Sequence, residues 1–205
     1  MPQDSIPHVT KSEFQVSLAP IPPKSFPDFM QSLQILSKRE SSSLEKFLDK
    51  IDVDLIGAKS HEHCKLVLYA AGPTLGTTDL VSSKPNIRFN TDKIRQILVI
   101  NTELLNDPFL SQKFGFAGLK CNTQGAIVEA CCLSGPDSEE VDLTFKAGAT
   151  EIRQDIKEPR HVFIHFSLKR GEDIEFSILI DDLADKTNHA YDCDPQVGND
   201  PPKKP

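Results

Sequence analysis

The chain has 205 residues, of which 38% are hydrophobic and 26% charged, and its formal net charge at pH 7 is −7. This apolar share supplies a hydrophobic core and excludes wholesale disorder, while no apolar run reaches the roughly 20 residues of a membrane-spanning helix. The acidic balance argues against attraction of the whole molecule to nucleic acid or anionic lipid. We therefore expect a folded protein without a transmembrane segment.

The first predicted element is a strand that follows a polar, proline-containing arm over residues 1–12. Phe14, Val16 and Leu18 alternate with polar residues, which is the two-residue period of a half-buried strand. Pro20 ends this pattern, because proline cannot donate a hydrogen bond to a sheet.

Two short helices are predicted next, over residues 25–36 and 42–51. In the second, Ser42 and Glu45 form a capping box. Behind it, apolar residues recur at the i, i+3, i+4 and i+7 positions of one helix face: Leu44, Phe47, Leu48 and Ile51.

Strand patterns dominate the rest of the chain. They cover residues 51–55, 66–69, 87–89 and 94–100, then 116–121, 126–133, 141–146, 151–156, 161–169 and 174–182. A helical turn is predicted to start at Asp107-Pro108 and to end at Gly115. Turn sequences separate the later strands every ten to twelve residues or so, which favours an antiparallel sheet. The predicted fold class is a β-rich α+β protein, with an antiparallel sheet that is sandwich or barrel-like and two or three short helices, mainly N-terminal.

The strand over residues 161–168 has two different faces. Val162, Ile164 and Phe166 lie on a wholly apolar face that should meet the core. The other face carries His161 and His165 and is expected to be exposed or to lie under a helix. The two histidines are roughly 13 Å apart along a strand, too far to bind one metal ion together.

The C-terminal residues are rich in proline and aspartate and poor in large apolar residues. This composition predicts a disordered acidic tail over residues 186–205. The remaining residues, 13–185, are predicted to form one globular β-rich domain.

A candidate metal site lies at His61-Glu62-His63-Cys64. On a strand, His61 and His63 would share one face about 6.6 Å apart, a workable separation for zinc or copper ligands. The alternative is a polar turn with solvated histidines. No Cys-x-x-Cys pair is present to strengthen the metal interpretation, and no cofactor is predicted.

The five cysteines are Cys64, Cys121, Cys131, Cys132 and Cys193. Their odd number and irregular spacing are untypical of a secreted disulfide framework, which predicts a cytoplasmic or nuclear protein. Cys121, Cys131 and Cys132 are the candidate nucleophiles of a cysteine-dependent enzyme, with His63, His161 or His165 as the base.

A local basic stretch opposes the acidic balance. Lys84, Arg88, Lys93 and Arg95 lie within twelve residues and could contact nucleic acid or an anionic membrane surface. Such residues also protect sheet edges from aggregation.

The expected function is that of a non-enzymatic protein-interaction or self-assembling structural protein that acts through a β-rich surface. This expectation rests on the many strand patterns and on the lack of a complete catalytic motif. The expected partner is another protein or a second copy of the chain. The alternatives are nucleic-acid or membrane-surface binding through residues 84–95, and a cysteine-dependent enzyme or small metal-binding protein.

Overall fold

A computed structural model describes residues 14–20, 61–70, 86–90, 92, 96–137, 139–183, 189–193 and 196–202. The strands in this part of the chain are β1 (Phe14–Pro20), β2 (His61–Ala70), β3 (Asn86–Phe89), β4 (Gln96–Asn101), β5 (Phe114–Cys121), β6 (Ile127–Ser134), β7 (Glu139–Asp142), β8 (Glu151–Ile156), β9 (Pro159–Phe166), β10 (Asp173–Asp182), β11 (His189–Cys193) and β12 (Gln196–Asn199). Two 3₁₀ turns, Glu103–Asn106 and Leu110–Gln112, connect β4 to β5.

The fold is therefore rich in β-structure, as the sequence predicts. The predicted N-terminal arm, both predicted helices and the predicted strand over residues 51–55 lie outside the described residues. Across the described ranges, we find no helix with the length and apolar character needed to cross a membrane.

The strands form two sheets. Sheet 1 has the order β1-β2-β4-β9-β6-β7, and sheet 2 has the order β3-β12-β10-β5-β8, with β11 also paired to β10. Most neighbours are antiparallel, as predicted, but β2 pairs with β4 and β3 pairs with β12 in parallel. The antiparallel prediction thus holds for most of the fold and fails at these two pairs.

One hydrophobic cluster joins the two sheets. The predicted core face of β9 contributes Val162, Ile164 and Phe166, and sheet 2 contributes Phe116 and Phe176 among others. Phe166 and Phe176 meet edge to face with their ring centroids 5.5 Å apart, which is a favourable aromatic geometry. Alternation along the strands thus places the core as the sequence predicts.

The second face of β9 is buried as well. His161, Phe163 and His165 are at most 6% exposed, so the exposed alternative for this face is wrong. The register places Phe163 between Val99 of β4 and Cys131 of β6, both of which are also buried. Sheet 1 is therefore covered on both sides at its centre.

The turn after β4 differs from its prediction. Helical geometry is confined to the two 3₁₀ turns, and β5 already begins at Phe114, so Gly115 lies inside a strand and does not end a helix. The reason is that Gly115 pairs with Asp181 of β10, and this long-range pairing stabilises a strand where a helical turn is predicted. The strand predicted over residues 141–146 is likewise shifted, because pairing with β6 selects Glu139–Asp142.

The predicted disordered tail contains two strands. The pairs Ile178–Cys193 and Glu175–Gln196 keep one register, so β11 and β12 follow the same edge of β10. Val197 is fully buried in the core cluster. The prediction of disorder is wrong for these strands. Pairing with β10 and β3 orders the segment, although its composition is typical of a disordered tail.

Candidate interaction surface

Arg88 of the predicted basic stretch is engaged in ion pairs. Its Nε and Nη2 atoms lie 2.8 and 2.7 Å from Oδ1 of Asp200, and its Nη1 donates to Oδ1 of Asp173 at 2.6 Å. The hydrogen bond to Asp200 is the largest of the effects that raise the pKa of Arg88, so its guanidinium keeps its charge. Arg88 therefore joins β3 to the C-terminal segment and to the start of β10.

Gly198 makes this arrangement possible. It pairs with Arg88 on one side and with Asp173 on the other, so the arginine must cross β12 to reach its second carboxylate. A Cβ atom at position 198 would clash with Oδ1 of Asp173 and with the guanidinium of Arg88. Only glycine leaves the path open.

Arg170 adds a second attachment at the same place. Its Nε donates to Asp92 at 2.8 Å, and its Nη1 donates to Asn90 at 2.5 Å and to the carbonyl of Asp200 at 3.0 Å. We call Arg88, Arg170, Asp173, Gly198 and Asp200 the Arg88 cluster. Lys84, Lys93 and Arg95, the other members of the basic stretch, lie outside the described residues.

The candidate metal ligands His61 and His63 lie in β2 and not in a turn. Their backbones pair with Ile97 and Val99 of β4. The strand geometry that the metal hypothesis requires is thus present in the backbone. Within the ranges whose side chains are described, no three histidine, cysteine or acidic residues form a group that could hold a metal ion.

The structure brings one candidate nucleophile close to two of the three candidate bases. Cys131 pairs with Phe163, so His161 and His165 are its diagonal neighbours along β9 on the same sheet face. Burial raises the pKa of Cys131 far above its ordinary value, and neighbouring carboxylates add to this effect. Burial also raises the pKa of Cys132, to about 12, and that of Cys121. These thiols lack the thiolate character that a nucleophile needs.

A different surface emerges where the loops between strands meet. β4, β6, β8 and β10 end, and β5, β7 and β9 begin, at one end of the molecule. The hydroxyl of Ser134 donates to the carbonyl of Lys157 at 2.6 Å, and Leu183 N–H donates to the carbonyl of Lys113 at 2.8 Å. The first bond joins the end of β6 to the loop between β8 and β9, and the second joins the end of β10 to the segment that leads into β5. We call this surface the loop end; it comprises residues 102–113, 135–137, 139, 157–158 and 183.

The loop end carries an exposed aromatic ring on an ordered turn. Phe109 is 64% exposed, more than any other large hydrophobic residue in the described part of the chain. The carboxylate of Asp107 accepts hydrogen bonds from the N–H groups of Phe109 and Leu110 at 2.9 and 3.1 Å. Pro108 precedes the ring, and its carbonyl accepts a hydrogen bond from Gln112 at 3.0 Å. The backbone beneath Phe109 is therefore ordered by its own turn.

Leu183 gives the loop end a second exposed apolar side chain. It is 45% exposed and follows the last residue of β10. Sequence reasoning missed Phe109 and Leu183, because a lone apolar residue in a loop has no periodicity. The turn sequence Asp107-Pro108 was the one sequence signal that indicated an ordered surface turn at Phe109.

Comparison of the chain with family models, with curated proteins and with solved structures gave no significant match.

Proposed function

We propose that the protein is a non-enzymatic interaction protein that binds a protein partner through its loop end. In this proposal the two sheets pack face to face as a sandwich, and the sandwich serves as a rigid support for the connecting loops. Binding residues are commonly carried by loops on a rigid scaffold. The loop end is accordingly the part of the β-rich surface that contacts the partner.

The observation that supports this proposal is the exposure of Phe109 on an ordered turn. A single exposed apolar residue is ordinary on a protein surface. Phe109 differs because hydrogen bonds from its own N–H and from the next residue to Asp107 hold the turn. An aromatic side chain on an ordered backbone has only two χ angles to fix on binding, so it loses little conformational entropy, which is the property of a binding anchor.

The burial of the cysteines supports a non-enzymatic role over the cysteine-dependent alternative. Cys121, Cys131 and Cys132 are buried and free, and burial raises the pKa of each thiol. The engagement of Arg88 by Asp173 and Asp200 favours a protein partner over nucleic acid, because phosphate groups would have to displace two carboxylates.

Site-specific photo-crosslinking tests the proposal. A photoreactive phenylalanine analogue replaces Phe109 in the full chain, and the same analogue replaces Val128, which is 44% exposed on β6 away from the loop end. Both proteins are irradiated in a reducing cytoplasmic or nuclear extract, the compartments that we propose for this protein. We expect one discrete crosslinked protein band from position 109 and none from position 128.

Mass spectrometry then identifies the captured chain as a different protein or as a second copy of this one. Equal, diffuse crosslinking from both positions would contradict the proposal. So would a discrete product from position 128 alone.

A further inference from the structure

The charges of the loop end point to the chemistry of its partner. Its exposed charged side chains, among the described residues, are four carboxylates and one ammonium group: Glu103, Asp137, Glu139, Glu158 and Lys157. None of the four carboxylates belongs to an ion pair within the described ranges. The end of the molecule that carries Phe109 thus also carries an excess of negative charge among its described, exposed side chains.

The opposite end of the molecule shows that this excess is local. There Arg88 and Arg170 neutralise the carboxylates of Asp92, Asp173 and Asp200 through ion pairs. No comparable arginine pairing is found at the loop end in the part of the chain that the structure describes. The negative charge is therefore available to a ligand at one end and used internally at the other.

We infer that the loop end binds a protein segment whose apolar side chains are flanked by lysine or arginine. This inference rests on the proposed function and adds the chemical class of the partner. The apolar residues of the segment contact Phe109 and Leu183, and its cations lie beside the carboxylates. Complementary charges steer association and reject partners of the wrong sign.

The same charges disfavour one form of self-assembly. Two copies that met loop end to loop end would place carboxylates against carboxylates, because an isologous interface brings the same patch together twice. Like charges across an interface oppose association. A second copy could therefore bind only through a different, more basic surface.

Selection from a random peptide library displayed on phage tests the inference. The full chain is the bait, and each selected peptide is then measured against the full-length F109A variant. We expect peptides that lose binding to F109A and that carry lysine or arginine next to aromatic or aliphatic residues.

The two proposals fail in different ways in this experiment. Peptides that depend on Phe109 but carry neutral or acidic flanks would overturn the inference and leave the proposed function in place. A selection that yields no peptides, or only peptides that bind F109A unchanged, would overturn the proposed function itself.

Charge-neutralising variants give an independent readout. Glu103→Gln and Glu158→Gln should each lower the affinity for a selected basic peptide about two- to fivefold, the range expected for exposed charge pairs. Each should also reduce the salt dependence of that affinity. Glu172→Gln is the matched control, since Glu172 is an exposed residue at the opposite end. Equal weakening by Glu172→Gln would overturn the inference, because it would reflect net charge alone.

Discussion

Charged and apolar side chains have opposite environments at the two ends of the molecule. In the Arg88 cluster, Arg88 bonds to the carboxylates of Asp173 and Asp200, Arg170 bonds to the carboxylate of Asp92 and the backbone carbonyl of Asp200, and Val197 beside them is buried. At the loop end, Phe109 and Leu183 are exposed, and the four exposed carboxylates of that end belong to no ion pair among the described residues. Both regions are ordered by hydrogen bonds, so order alone does not distinguish them.

This difference separates interactions that hold the fold from groups that are free to act on another molecule. Arg88 looks like a ligand-binding residue in the sequence, yet its hydrogen-bonding capacity is directed at Asp173 and Asp200. Phe109 looks unremarkable in the sequence, yet the fold leaves it exposed. A change in the Arg88 cluster should therefore reduce stability, and a change at the loop end should reduce binding.

At the Arg88 cluster, the largest expected loss of stability comes from Gly198→Ala. The added Cβ would clash with Arg88 and Asp173, so the arginine must leave its position above β12. Because the displaced groups are the ends of flexible, partly exposed side chains, the loss is that of their ion pairs and should lower the free energy of unfolding by about 1 kcal/mol. Guanidinium-induced unfolding followed by circular dichroism measures this change.

A double-mutant cycle with Arg88→Ala identifies the cause. When the arginine side chain is absent, Gly198→Ala should be less destabilising, because part of the clash is removed. If the two changes are simply additive, the position of Arg88 is not what requires glycine at position 198.

The same cluster shows where prediction from the sequence stops. The periodicity around Ile87 and Phe89 correctly indicates a strand with Arg88 between two buried residues. Its partner Asp200 lies 112 residues away along the chain. A local pattern contains no information about such a pairing, so Arg88 is read as available and the segment that contains Asp200 is read as a tail.

β9 illustrates what local patterns do provide. Alternation identifies Val162, Ile164 and Phe166 as core residues, which the structure confirms. It leaves the other face undecided, because His161 and His165 are compatible with either solvent or burial. Burial on that face depends on what packs over the sheet, which is a tertiary property.

The buried second face of β9 carries His161, which belongs to neither the Arg88 cluster nor the loop end. Its burial predicts that the stability of the protein depends on pH. Burial lowers the pKa of His161 below its ordinary value of 6.5, so the folded protein keeps this imidazole neutral. Below about pH 6.5 the unfolded chain binds a proton there that the folded chain does not, and the free energy of unfolding falls as the pH decreases. This one residue contributes a slope of at most about 1.4 kcal/mol per pH unit.

Unfolding measurements between about pH 5 and pH 8 on the wild type and on His161→Gln test this prediction. The variant should be less stable at pH 8 and should lose less stability as the pH falls, since glutamine does not titrate. Parallel profiles for the two proteins would show that His161 does not account for the acid sensitivity. The Arg88 ion pairs should not add to the difference, because the guanidinium stays charged throughout this range.

The smallest expected effect on stability is that of Phe109→Ala. This variant tests directly whether the loop end contributes to binding and not to stability. Since Phe109 is 64% exposed, removal of its ring should change the free energy of unfolding by no more than about 0.5 kcal/mol. Val128→Ala, at 44% exposure on β6, is the control for loss of exposed apolar surface and should be equally mild. Only Phe109→Ala should abolish partner binding. If Phe109→Ala instead destabilised the protein as much as Gly198→Ala, the ring would be part of the fold, and the loop end would no longer differ in kind from the Arg88 cluster.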